Sequence, residues 1–227
     1  MKNTKDMVTD PGGKSSSKTV NNMGQVVSAT DNGGTITYTY CSNGQPKTIS
    51  APGSTIENRY DDYGRQTKMI DPDAGTTSYV YNGFGELISQ TDTIGNTYTM
   101  SYDNAGRLTQ KTGPEGNYIY TYVPNGEPGA GLVQNIKSPG DTVAYIYNDY
   151  GLPTCITDTI GGTPYTYKYS YDNLNNNTLI IFPNNFSVKR HYDANGQLDQ
   201  VKRYDNSNLI WELNSESALG QATQIKQ

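Results

Sequence analysis

The feature that most constrains this chain is a periodic glycine with a tyrosine in fixed register. Gly24, Gly44, Gly64, Gly85, Gly106, Gly126, Gly151 and Gly196 stand 20, 20, 21, 21, 20, 25 and 45 residues apart. The last gap divides into 24 and 21 at Asn175, which occupies a glycine's place. Four residues before each mark from Gly44 onward sits a tyrosine: Tyr40, Tyr60, Tyr81, Tyr102, Tyr122, Tyr147, Tyr171 and Tyr192. A period of this length means stacked supersecondary units, each leaning on its neighbours, so the chain reads as an array.

Such an array needs an apolar payload, and here it is aromatic. The mean hydropathy is −0.74, and the 227 residues include 20 tyrosines and 24 glycines. Tyrosine rings must therefore supply much of the buried area, each with a hydroxyl that wants a partner. A polar, glycine-rich chain is a candidate for disorder, but disorder gives no reason to keep tyrosine in register. The net charge of −5 and the lack of a basic stripe argue against nucleic acid as partner. The longest apolar run, Leu179–Phe182, is too short to span a membrane. Residues 1–19 are polar, without the apolar core of a secretory signal, and read as a poorly ordered lead-in to an array over 20–227. Cys41 and Cys155 occupy different repeat positions, so free thiols are expected rather than a disulfide framework. The triplets Asn176-Asn177-Thr178 and Asn185-Phe186-Ser187 are read as chance glycosylation patterns in an Asn-rich stretch.

One repeat shows what the unit builds. Before Gly106, Tyr98, Met100 and Tyr102 alternate with Thr99 and Ser101, the period-two pattern of a half-buried strand. Asp103 stands three before the glycine, as do Asp61, Asp172 and Asp193 at their marks, with Asn82 and Asn148 as variants. Asp or Asn at the first position and Gly at the fourth signal a type I turn closing a bulged hairpin. Cys41 and Val123 depart from this pattern. A second strand follows, as at 107–111, and then a second turn, as at Asp71-Pro72-Asp73-Ala74-Gly75, Asp92-Thr93-Ile94-Gly95 or Gly113-Pro114-Glu115-Gly116. The uneven intervals after Gly126 imply longer second turns, one holding the insertion 127–131. The fold expected is all-β: eight or nine antiparallel hairpins of about 20–25 residues, 16 to 18 strands, in a long, curling sheet.

The unit Tyr-Asp-x-x-Gly-Arg-Leu, complete at Tyr102 to Leu108, resembles the YD repeat of the Rhs family. Tyr60-Asp61 with Gly64-Arg65, and Tyr192-Asp193 with Gly196, are close variants, and the resemblance runs from about Gly24 to Gly220. Leu209-Ile210-Trp211-Glu212 followed by Gly220-Gln221 is similar to the tryptophan-bearing spacer of such repeats. The resemblance implies a spiral β-sheet winding into a hollow shell. In Rhs toxins and insecticidal toxin complexes such a shell encloses a cytotoxic domain; in teneurins a related barrel serves adhesion at the cell surface. No closing core segment with a self-cleavage site, and no non-repetitive toxin domain, is recognisable in this sequence. The resemblance thus implies a wall segment whose partners are the rest of the shell and an enclosed toxin domain. It places the full-length protein outside the cell or at its surface.

Catalytic constellations are sparse. His191 is the only histidine and lies in an alternating segment opposite the tyrosine column, so it reads as an exposed strand residue and not as part of a triad or zinc site. The acidic pairs Asp61/Asp62 and Asp71/Asp73 resemble a glycosidase acid and base only if brought together, and each holds a turn position instead. The same turns offer oxygen ligands for calcium only at isolated sites. No enzyme, metal or cofactor is expected. Tyr63, Phe84 and Tyr150 lie directly before their marks, outside the ring column, and are the candidates for exposed aromatic contact with carbohydrate. The leading expectation is a structural shell segment; the alternative is a surface repeat binding glycans or another cell.

Overall fold

The computed structural model describes residues 3–216 and 222–226. It contains 21 β-strands and, among the described residues, no helix. The chain divides into two compact units, Met1–Arg107 with Lys111–Pro114, and Leu108–Gln110 with Glu115–Gln227. The first unit carries β1 (Thr4–Thr9), β2 (Ser15–Val20), β3 (Val26–Asp31), β4 (Gly34–Tyr40) and β5 (Pro46–Ala51). It continues with β6 (Ser54–Tyr60), β7 (Gln66–Asp71), β8 (Gly75–Tyr81), β9 (Leu87–Thr91) and β10 (Thr97–Tyr102). Strand β11 (Leu108–Gly113) is shared between the two. The second unit carries β12 (Gly116–Tyr122), β13 (Val133–Lys137), β14 (Asp141–Tyr147), β15 (Pro153–Ile160) and β16 (Thr163–Tyr171). It ends with β17 (Asn177–Ile181), β18 (Ser187–Tyr192), β19 (Leu198–Arg203), β20 (Leu209–Glu216) and β21 (Ala222–Lys226).

Within each unit consecutive strands pair antiparallel, hairpin after hairpin, as in β3–β4, β4–β5, β5–β6 and β6–β7. The two faces differ as the alternation requires. On β10, Tyr98, Met100 and Tyr102 are half-buried while Thr97, Thr99 and Ser101 are exposed. The polar face is stitched by hydroxyl pairs between directly opposed threonines: Thr30–Thr35 at 2.9 Å, Thr39–Thr48 at 2.6 Å and Thr157–Thr166 at 3.1 Å. Ring contacts such as the stacked Tyr145–Tyr147 pair (centroids 6.1 Å apart) and the edge-on Tyr167–Phe182 pair (6.0 Å) cover the other face. Burial stays partial throughout. Among the described residues only Val123, Val188 and Thr77 are buried, and no side chain is fully so.

Three expectations are corrected in detail. Among the described residues the strands number 21 rather than 16 to 18, because hairpins also form where no Tyr-Gly mark announces them. One of these lies in the polar lead-in over 1–19: β1 and β2 pair from Thr4↔Val20 to Thr9↔Ser15 around the turn beginning at Asp10. The insertion at 127–131 lies in a first turn, not a second. Val123 N–H donates to the Leu132 carbonyl (2.8 Å), and Gly131 N–H donates to the Val123 carbonyl (2.9 Å). Gly131, not Gly126, therefore closes the turn, the longer loop bridging Val123 to Leu132. Of the tryptophan-bearing spacer, Leu209–Glu212 lies in β20, and Gly220-Gln221 fall outside the described residues.

Candidate functional site

The repeating chemistry of this chain is concentrated in its turns. At Asp103 the side-chain Oδ1 accepts from Ala105 N–H (2.9 Å) and Arg107 N–H (3.0 Å), while Gly106 N–H donates to the Asp103 carbonyl (3.0 Å). The glycine sits at φ 75°, a left-handed conformation that costs a side-chain-bearing residue about 1–2 kcal/mol. The same lattice of bonds recurs around Asp61, Asn82, Asn148, Asp172 and Asp193. Asp92, in a turn read from sequence as one of the reversing second turns, builds it too. At Asn175 the left-handed place (φ 66°) is taken by asparagine, which tolerates it better than branched residues do. Where a tyrosine leads into the turn the ladder shifts register beside it, between Thr39 and Tyr40, Arg59 and Tyr60, or Val80 and Tyr81.

The residue following the mark completes the first residue of the turn. Arg65 Nε donates to Asp61 Oδ2 (2.7 Å) and Arg107 Nε to Asp103 Oδ2 (2.7 Å). At the turn that starts with Asn82 the polarity reverses, and Asn82 Nδ2 donates to Glu86 Oε2 (2.6 Å). Asn176 completes Asp172 in the same way (3.1 Å). These bonds hold several turn carboxylates below the usual aspartate range. For Asp103 the leading cause is the Arg107 side chain, then its backbone N–H; for Asp193 it is Gln197 N–H. In the other candidate pair both residues have turn work: Asp71 Oδ1 accepts from Asp73 and Ala74 N–H, and Asp73 Oδ2 accepts from Ser54 Oγ (3.3 Å).

The tyrosine four before the mark is the staple between repeats. Tyr40, Tyr60, Tyr81 and Tyr102 donate their hydroxyls to the carbonyls of Val26, Pro46, Gln66 and Leu87, at 2.6, 2.8, 2.9 and 2.8 Å. Tyr122, Tyr147, Tyr171 and Tyr192 do the same to Leu108, Val133, Pro153 and Asn177, at 2.7, 2.7, 2.8 and 3.0 Å. Each acceptor lies two residues after the preceding turn's closing residue, which at Val133 is Gly131. Adjacent turns are also tied directly: Gln25 Nε2 reaches the Gly44 carbonyl (3.0 Å), Gln45 Nε2 that of Gly64 (2.6 Å), and Arg65 Nη1 that of Asn82 (3.0 Å). Arg65 further lies against the rings of Tyr63 and Tyr81, 5.1 and 4.9 Å from their centroids, at cation–π distance. Position alone made the tyrosine visible in sequence. Its acceptor, a backbone carbonyl, has no sequence signal; the pairing of Asp with Arg and Asn with Glu four residues apart does.

Tyr63, Phe84 and Tyr150 stand at turn tips with 85%, 93% and 78% of their surface exposed. Tyr63 and Phe84 belong to the first unit and Tyr150 to the second. His191 is exposed on β18, its Nδ1 2.6 Å from Asp199 Oδ1. Cys41 and Cys155 are free and half-buried. Among the described residues no three potential metal ligands gather, and no helix is long and apolar enough to cross a membrane.

The RHS Repeat family model matches residues 60–92 and 81–118. No curated protein matches the sequence. Among solved structures, the crystal structure of TcdB2-TccC3-TEV superposes with a TM-score of 0.77 at 15% identity, over 92% of this chain and 13% of that one. The Photorhabdus luminescens Tc holotoxin pore superposes with a TM-score of 0.77 at 16% identity, over 94% of this chain and 13% of that one. This chain therefore spans 13% of the length of the structures it resembles. Residues 60–118 thus carry the RHS repeat, the same Tyr-Asp-x-x-Gly turn recurs along the rest of the sequence, and the fold is one shared with the Tc toxin structures.

Proposed function

We propose that this chain is a wall segment of an RHS shell, a structural and non-catalytic element that helps enclose a toxin domain lying outside these 227 residues. The observation that carries this reading is the staple: all eight signature tyrosines bond the backbone of the preceding repeat. A sheet so built extends by adding hairpins and needs no fully buried side chain, as suits a wall rather than a globular catalytic domain. Its partners in this reading are further RHS repeats and the enclosed domain, and the assembled protein works outside the producing cell. The coding DNA on either side of the chain tests it, followed by protease challenge of the whole product. Expected are further repeats and a distinct terminal domain that resists protease until the shell is denatured. A stop codon directly after Gln227, with a monodisperse and sharply cooperative monomer, overturns it.

The exposed rings at the turn tips support a second reading, a surface repeat that contacts carbohydrate or another cell. It expects saturable glycan binding that weakens on Tyr63→Ala, Phe84→Ala or Tyr150→Ala. Absence of binding across a broad glycan panel removes it.

A further inference from the structure

The chain is acidic overall, yet one stretch of the second unit gathers basic groups on the face opposite the tyrosines. Antiparallel pairing sets Lys189 of β18 directly across from Lys202 of β19, and His191 across from Gln200. Like charges directly opposed across a strand pair destabilise it. Neither lysine enters an ion pair among the described residues. The neighbouring carboxylates bond groups other than the two lysines: Asp199 with His191 (2.6 Å), Asp205 with Arg203 (2.7 Å) and Glu212 with Gln200 (2.7 Å).

The two ammonium groups open onto a hollow lined by Lys189, His191, Gln200, Lys202, Tyr204 and Ser207. Its far wall is the turn between β19 and β20, where Tyr204 N–H donates to the Ser187 carbonyl (3.0 Å) and Ser207 N–H to the Arg203 carbonyl (3.0 Å). Ser207 is held at φ 60°, an uncommon conformation for a residue that is neither Gly nor Asn, and such strain gathers at ligand sites. Opposed ammoniums, a phenol and a hydroxyl around one concavity are the donor set that an oxyanion takes.

We infer that the hollow over β18 and β19 binds a phosphate or sulfate group, bridged between Lys189 and Lys202, with Tyr204 and Ser207 as neighbouring donors. The bound anion cancels the repulsion that the pairing otherwise imposes. A free inorganic anion and a sulfate borne on a polysaccharide present the same chemistry.

The test is the melting midpoint of the whole chain at constant ionic strength, in chloride and then in inorganic phosphate, with binding followed by NMR titration. Phosphate is expected to raise the midpoint of the parent. Lys189→Gln and Lys202→Gln are each expected to weaken phosphate binding about tenfold, and the double variant to lose the shift. Lys168→Gln, on the same exposed face but outside the hollow, is expected to keep it. A heparin-type polymer that binds more tightly than phosphate and depends on the same lysines identifies a sulfated polysaccharide. Binding of inorganic phosphate without the polymer identifies a small anion. No phosphate shift in the parent, or an equal shift in the double variant, overturns the assignment.

Discussion

The hydroxyl of each signature tyrosine separates two contributions that a ring alone cannot. The ring covers its strand neighbours, and the O–H satisfies a carbonyl at the start of the previous repeat's returning strand, as Tyr102 does for Leu87. Tyr102→Phe keeps the ring and removes the bond, so a loss of about 1 kcal/mol in urea unfolding is expected. Burial, then the charge of Glu86, pushes the Tyr102 phenol above its ordinary range; burial, then Tyr145, does so for Tyr147. A raised folded value means the stabilisation is whole below the unfolded phenol range, about pH 10, and is lost as pH rises through the folded value. The turn aspartates Asp103 and Asp193 shift the other way. Their contribution is present above the unfolded carboxylate value, near pH 4, and is lost as pH falls through the folded one. A pH series of melting midpoints should therefore fall at both ends, the alkaline fall coinciding with phenolate absorbance. Asp103→Asn should soften the acid limb, since it keeps the turn acceptor and removes the titrating group. An unchanged acid limb in that variant contradicts the assignment.

At the scale of the element, the turn decides how each hairpin closes. Asn175 holds its left-handed place at φ 66°, and Asn175→Gly should gain about 0.5–1 kcal/mol by removing that strain. A loss instead would show that the asparagine side chain does more than tolerate the conformation. The enlarged turn at 124–131 separates backbone strain from crowding. A Cβ built on Gly129 stands 2.6 Å from Tyr147 Cβ, whereas one on Gly126 meets nothing within 4 Å, and both glycines have positive φ. Gly129→Ala should therefore cost about 1–3 kcal/mol more than Gly126→Ala, read from paired denaturation curves. Equal costs would mean the loop simply lifts off Tyr147.

At the scale of the molecule, stability is a sum of repeats and nearest-neighbour joints rather than the property of one core, since no described side chain is fully buried. Weakening one joint should stay local. Tyr40→Phe frees the Val26 carbonyl and should lower hydrogen-exchange protection in β3 to β5 while leaving β16 to β18 unchanged. Loss of protection spread evenly over the chain would instead mean one cooperative fold.

Much of this was legible in the residues. Period-two alternation before each glycine, with Asp or Asn opening the turn, determined antiparallel hairpins, because a strand's faces and a turn's φ depend on near neighbours alone. The resemblance to the YD repeat was legible for the same reason, and the repeat model matches it over residues 60–118. Three features needed the fold. The hairpin of β1 and β2 carries no Tyr-Gly mark. Gly131 rather than Gly126 closes its turn, because closure depends on which backbone groups meet across the loop. The tyrosine acceptors and the facing pair Lys189 and Lys202 come from strand register. Local sequence sets what each strand and turn is; only register sets which atoms lie opposite, since one residue of slip exchanges the two faces of a strand.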